Sequence, residues 1–163
     1  MTIDLLLGLR KLQGICDYQF DHEITKILFH DLDKITIERS RNTGKIRYIH
    51  FNDRILLTLR PNNGFFTLSL SSAKKIIDNT KSPRLRVIVM NEISEFIKKG
   101  RNVFCKHVVD IDENLRPMDE VIVVNQRDEL LAIGRLKVPV SYTKSFKNGI
   151  AINVRKGINK LKN

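Results

Sequence analysis

Phe96-Ile97-Lys98-Lys99-Gly100-Arg101-Asn102-Val103-Phe104-Cys105-Lys106 is the stretch on which the fold turns. Its opening reads as the end of a short helix over residues 91–99. Asn91 suits the N-cap, Glu92 the first turn, and Lys98 and Lys99 the last turn, the charge order that the helix dipole favours. Gly100 takes the position after the helix, where a left-handed residue is needed. Strand texture follows at once, over residues 103–111. Working outward, residues 86–90 precede the helix as a strand. Residues 120–125, 130–137 and 150–154 follow as three more, with Arg127-Asp128 in a hairpin. Five short strands and one helix predict a small, closed, mixed barrel.

Upstream the pattern differs. Ile3, Leu6, Leu7, Leu9 and Leu12 recur near the helical period, with Asp4 near the start and Gly14 as the stop. Asp21 suits the cap of a second helix through Ile24, Ile27 and Leu28. Alternating runs follow around Ile35, Ile37 and Ile46, Tyr48, with Arg41-Asn42-Thr43-Gly44 as the turn between them. Residues 55–59 and 65–70 pair across Pro61-Asn62-Asn63-Gly64. Ser71 or Ser72 suits the cap of a short helix carrying Ala73, Ile76 and Ile77. The first half thus reads as helices flanking an antiparallel sheet. Asn79-Thr80-Lys81-Ser82-Pro83 breaks the pattern. The expected domains are residues 1–82 and 83–163, and the fold class is α+β.

The chain has 163 residues and a formal net charge of +11. A hydrophobic fraction of 42% supports real cores. No apolar run approaches the ~18 residues of a membrane span, and Leu5–Leu7 is too short for a signal sequence. No membrane partner is expected. Two cysteines, Cys16 and Cys105, point to a reducing, cytoplasmic setting. The charge is segregated: residues 110–129 hold seven acids and two arginines, while 81–109 and 130–163 together hold 15 basic and two acidic residues. That separation favours a basic face for a polyanion, with nucleic acid as the default partner. Met1 at the start is expected of a natural product rather than an excised piece.

Catalytic motifs do not assemble. No phosphate-binding glycine loop is present, and His22, His30, His50 and His107 form no ligand pair in zinc spacing, so neither metal nor cofactor is expected. Cys105 and His107 share a face if residues 103–111 are one strand. A thiol–imidazole pair can be nucleophilic, but a buried thiol beside a satisfied histidine explains the same residues. Asp110 and Asp112 read as a solvated turn.

Cations are better placed. Lys98, Lys99 and Arg101 surround Gly100, whose N–H either meets a phosphate or closes an ordinary helix cap. Lys106 lies on the next strand, Arg135 and Lys137 alternate on a later one, and Arg155 and Lys156 end the last. These nine residues are the candidate RNA-binding site. Phe104 and Phe146 either stack on bases or pack in the core. Arg39, Arg41, Lys45 and Arg47 around the first hairpin either extend the contact or solvate a turn.

The opening stretch, with Val108-Val109-Asp110, Leu115-Arg116-Pro117-Met118-Asp119-Glu120-Val121, Leu130-Leu131-Ala132-Ile133-Gly134-Arg135 and Asn148-Gly149-Ile150-Ala151-Ile152-Asn153-Val154, resembles a PUA domain, the small RNA-binding module of tRNA- and rRNA-modifying proteins. That family usually has glycine where this chain has Met118. Asp17-Tyr18-Gln19-Phe20, Ser40-Arg41-Asn42-Thr43-Gly44-Lys45-Ile46-Arg47 and Thr58-Leu59-Arg60-Pro61-Asn62-Asn63-Gly64-Phe65-Phe66-Thr67-Leu68 resemble the domain before PUA in archaeal tRNA-guanine transglycosylases, the archaeosine enzymes. The resemblance implies a barrel of PUA type after a pre-PUA α+β domain. It implies a grip on the tRNA acceptor stem, with the first half positioning that grip. The family's catalytic barrel and zinc ligands have no counterpart here, so no activity of its own is expected. Two roles follow: an RNA-binding protein linked to tRNA modification, or a non-catalytic subunit working with a separately encoded transglycosylase catalytic subunit.

Overall fold

Thr2 caps the first helix, α1 (Ile3–Gln19), its hydroxyl accepting from Leu5 N at 3.3 Å, with Asp4 in the first turn. The computed structural model describes residues 1–160. The helix runs through Gly14 instead of stopping there. Leu9, Leu12 and Cys16 form one continuous buried face across it. That burial outweighs the ~1 kcal/mol a mid-helix glycine costs. At its end the Gln19 side chain grips the backbone of Phe66 twice, donating to its carbonyl at 2.8 Å and accepting from its N–H at 2.6 Å. The second helix, α2 (His22–Leu28), is capped by Asp21 as its sequence predicts, through Ile24 N at 2.8 Å.

Four antiparallel strands follow: β1 (Ile35–Arg39), β2 (Ile46–Phe51), β3 (Arg54–Leu59) and β4 (Phe66–Leu68), adjacent in chain order. The β1–β2 and β3–β4 loops close the same way. Ser40 N donates to Lys45 O and Gly44 N to Ser40 O, both at 2.8 Å; Arg60 N donates to Phe65 O at 2.9 Å and Gly64 N to Arg60 O at 3.0 Å. Each loop ends on a glycine with positive φ, +66° and +72°. The third helix, α3 (Leu70–Asn79), is capped by Ser69 rather than Ser71 or Ser72: Ser72 N donates to the Ser69 hydroxyl at 3.0 Å, and Ser69 N to the Ser72 hydroxyl at 2.8 Å. This is a reciprocal box built from two serines.

The chain separates into two compact units, Met1–Asn79 and a second beginning at Thr80. In the second, β5 (Arg86–Val89) is followed by a 3-10 turn (Asn91–Ile93) and α4 (Ser94–Lys98). Asn91 is not the helix cap. Its side-chain oxygen accepts from Gln126 N at 3.0 Å and ties the turn to a hairpin 35 residues away. The single strand expected over 103–111 is broken into β6 (Val103–Phe104), a 3-10 turn (Cys105–His107) and β7 (Val108–Ile111). Then come β8 (Glu120–Val124), β9 (Leu130–Leu136), α5 (Val140–Ser145) and β10 (Ile150–Gly157). The strand order is β6-β10-β9-β8-β5-β7, with β5–β8 parallel and every other pair antiparallel. The two edge strands are joined by three residues, so the sheet must curl until its edges approach. That is the physical reason for the break at Cys105. The result is a nearly closed mixed barrel, filled by β8, whose every residue is buried.

Two buried charges lock the barrel's entrance strand. Arg86 is fully buried, with Nε 2.7 Å from Asp128 and guanidinium N–H groups donating to the carbonyls of Arg84 (2.8 Å) and Thr80 (3.1 Å). Asp112, expected in a solvated turn, is buried instead. It accepts from Leu85 N at 2.8 Å and Asn114 N at 3.0 Å. Met118 sits at φ +77°, in the left-handed region that the family's glycine would occupy without strain.

Candidate nucleic-acid interface

The end of α4 is a paired-bond glycine cap. Gly100, at φ +93°, donates to Ile97 O at 2.9 Å, and Arg101 N donates to Phe96 O at 3.2 Å. These are the two bonds of a Schellman motif. The Gly100 N–H is therefore engaged in the helix cap, the second of the two roles its position offers. The cap is pressed onto the end of β10: Asn159 N donates to Lys98 O at 2.9 Å, and a Cβ on Gly157 would collide with the Lys98 and Ile97 carbonyls. Lys99 and Arg101 are thereby fixed at the surface and exposed. Lys98 is half-buried and paired with Glu95 at 3.0 Å. The Asn102 side chain accepts from Val154 N at 2.9 Å and holds the loop to β10.

Arg135 and Arg155 behave differently. They converge on Glu120, whose side chain is 4% exposed. Arg155 grips both carboxylate oxygens, at 2.6 and 3.0 Å, while Arg135 Nε stands 3.9 Å away. The next cation along β10, Lys156, is exposed, as is Lys137 just past β9.

Lys106 lies in the 3-10 turn, not on a strand. It lines a cavity of about 640 Å³ together with Lys144, Phe146, Lys147 and Asp110. Lys144 and Lys147 are absent from the sequence-based set because α5 has weak helix propensity (Val140, Tyr142, Thr143) and read as loop. The spacing of lysines around Phe146 was the available signal. Lys144 is bonded to Glu113 at 2.8 Å, which raises the lysine above and holds the glutamate below its ordinary pKa. Phe146 and Phe104 are both exposed; Phe146 packs against Tyr142 at 4.8 Å and Phe104 meets His107 edge-on at 6.4 Å.

Apart from Arg135 and Arg155 on Glu120 and Lys137 past β9, the six other candidates form two groups. Lys98, Lys99, Gly100 and Arg101 gather with Lys156 at the end of β10. Lys106 lies with Lys147 near its start, where Cys105 N bonds Gly149 O at 2.9 Å. An eight-residue strand sets these groups about 25 Å apart. Cys105 and His107, two apart in a 3-10 turn, do not share a strand face, and burial raises the Cys105 thiol's pKa, the wrong direction for a nucleophile. Among the described residues no group of three His, Cys, Asp or Glu side chains could hold a metal.

Residues 10–83 match the patch-forming domain C2 of tRNA-guanine transglycosylase, and residues 85–158 match the PUA domain. The tRNA-guanine(15) transglycosylase of Thermococcus onnurineus is 41% identical over 147 residues, 90% of this chain and 25% of that protein. That of Methanothermobacter thermautotrophicus is 39% identical over 156 residues, 96% of this chain and 23% of its own length. The chain strongly resembles the C-terminal C2-plus-PUA region of archaeal tRNA-guanine(15) transglycosylases. It spans about a quarter of the length of the curated relatives it matches. A hypothetical protein of Pyrococcus horikoshii shares the fold, with a TM-score of 0.75 at 20% identity over 94% of this chain and 92% of that one. A PUA-domain protein of Thermoplasma acidophilum does so with a TM-score of 0.58 at 15% identity over 77% of each. The barrel is the unit that matches the PUA domain, and the helix-lined sheet the unit that matches domain C2. No helix of the described residues is long and apolar enough to cross a membrane.

Proposed function

We propose that the chain is an RNA-binding module of tRNA modification, with tRNA as its ligand and no catalytic group of its own, acting in the cytoplasm. Its working domains are taken as residues 1–82 and 83–163. The observation that carries this reading is the set of exposed cations at the two ends of β10, Lys99, Arg101 and Lys156 at one and Lys106 and Lys147 at the other. Their charges capture phosphates, and their fixed separation measures backbone shape rather than base identity. Arg135 and Arg155, held by Glu120, serve mainly to fix β9 and β10 against β8. The test is tRNA affinity against salt for Lys99→Ala, Lys106→Ala and Lys156→Ala. Each should lower the slope by ~0.7–0.9. Three unchanged slopes would refute the assignment.

A second reading rests on the quarter-length match to full transglycosylases. In it the chain works as a non-catalytic subunit beside a separately encoded catalytic subunit. Co-purification with such a barrel protein, and guanine exchange that needs both chains, is the expected result. Exchange by the barrel alone at full rate would remove it.

A further inference from the structure

The C2 unit carries a second basic groove, separate from the PUA residues above. It is a cavity of about 760 Å³ walled by α1 (Lys11, Ile15), the β1–β2 loop and the β3–β4 loop. Among the described residues five cations line it, Lys11, Arg39, Lys45, Arg47 and Arg60, and no carboxylate does. Arg39 is partly engaged, bonded to Gly44 O at 3.1 Å and 3.5 Å from Asp4. Lys11, Lys45 and Arg47 are exposed, and Arg47 lies 5.2 Å from the centre of the Tyr48 ring. Between positions 39 and 60 the sequence holds six basic residues and one acid, Asp53. The identical closure of the two loops sets their tips side by side, so the charge is a product of backbone geometry and not of mobile side chains alone.

Beside this groove stands an aromatic pair. Lys11, Ile15 and Tyr18 fall on one stripe of α1, and Phe65 follows Gly64, the last lining residue of its loop. The rings of Tyr18 and Phe65 are parallel within 5° at 6.0 Å, and Tyr18 is 82% exposed. A solvated, face-on aromatic next to a cationic trough matches what unpaired nucleotides require: phosphates along the charge and a base against the ring. We propose that this groove binds a short single-stranded or unpaired RNA segment, with Lys11, Lys45 and Arg47 on phosphates and Tyr18 stacking on a base. It builds on the reading of the chain as an RNA binder, and adds a ligand form that the PUA face, which measures duplex backbone, does not take.

The experiment uses the full chain with a fluorescent oligouridine of six to eight nucleotides and, separately, a tRNA acceptor-stem hairpin. The double variant Lys45→Ala/Arg47→Ala should lower the oligouridine salt slope by ~1.4, at ~0.7 per single-strand phosphate contact. Tyr18→Ala should weaken oligouridine ~5- to 150-fold and Tyr18→Phe should restore it, since a base stack is worth ~1–3 kcal/mol. Lys99→Ala/Lys156→Ala should weaken the hairpin and leave oligouridine unchanged. If the groove variants leave oligouridine binding as it was while the PUA variants weaken the hairpin, the groove proposal falls and the PUA reading stands. If the reverse pattern appears, the groove stands and the PUA assignment falls. Tighter capture of polyglutamate than of oligouridine, or no RNA binding by the wild type, overturns the groove.

Discussion

Arg155 and Lys156 are neighbours in β10, yet the structure assigns them opposite work, and their alanine variants separate the two. Arg155 places both terminal nitrogens on Glu120, at 2.6 and 3.0 Å, with that carboxylate 4% exposed. Arg155→Ala removes both of those contacts, and Arg135 Nε stands 3.9 Å from the carboxylate. Breaking a buried ion pair by removing one partner costs ~3–5 kcal/mol. The Arg155 side chain is 34% exposed, so solvent screening puts the expected loss at or below the lower end, about 2–3 kcal/mol. Lys156 is exposed without an acidic partner among the described residues, and its loss should stay within ~0.5 kcal/mol. The assay is urea unfolding, paired with tRNA affinity measured across a salt series. Arg155→Ala should shift the unfolding midpoint and keep the salt slope; Lys156→Ala should keep the midpoint and lower the slope by ~0.7–0.9. A stable Arg155→Ala with a reduced slope would show that the arginine meets phosphate directly, and would refute the division of labour drawn from Glu120.

Met118→Gly should stabilise the PUA unit by about 0.5–1 kcal/mol in urea unfolding, because left-handed backbone at φ +77° costs a side-chain residue ~1–2 kcal/mol and glycine gives part of that back as chain entropy. Gly157→Ala should cost about 3 kcal/mol by the same measurement, since its Cβ would lie 2.7 Å from the Ile97 carbonyl and against backbone that cannot yield. The Glu113 carboxyl, held by Lys144 below its ordinary value of 4.5, should titrate lower by NMR in the wild type and return toward that value in Lys144→Ala. The pair's contribution is present above the unfolded pKa and is lost as pH falls through the folded one. Burial pushes the Cys16 thiol up to about 11 from 9.0. The folded state therefore holds that proton more tightly, and stability should fall as pH rises from 9 through 11; Cys16→Ala should remove that part of the alkaline loss.

Local rules carried most of the architecture into view. Asp21, Gly44, Gly64 and Gly100 punctuate the chain where their side chains, or lack of one, demand it, and the alternating runs between them are strands. The failures share a cause. Whether Gly14 stops α1, whether residues 103–111 stay one strand, and whether Asn91 caps a helix are decided by partners distant in sequence: the core face of α1, the closing edges of the barrel, and Gln126. The candidate site followed the same line. Which residues are cationic is legible, but not which cations are already taken. Glu120 reads as one more acid in an acidic segment; the β8–β9 pairing brings it to Arg135 and the β9–β10 pairing brings Arg155 alongside.

The β6–β10 pair closes the barrel between residues 46 and 49 apart, Phe104 with Ile150 and Val103 with Ile152, and the parallel β5–β8 pair joins Arg86 to Ile122. The C2 sheet, in contrast, is a meander whose every pairing is between successive strands. Loop-closure entropy must be met before distant pairings stabilise anything, so the two units should fold on separate clocks. The meander needs only short hairpins. The barrel waits for its last strand, and until β10 docks, β9 lacks one neighbour and the backbone groups of that edge stay open. During synthesis the PUA unit is thus the segment exposed to misassociation, and the stretch from Ile150 to Gly157 is the one whose arrival ends that exposure.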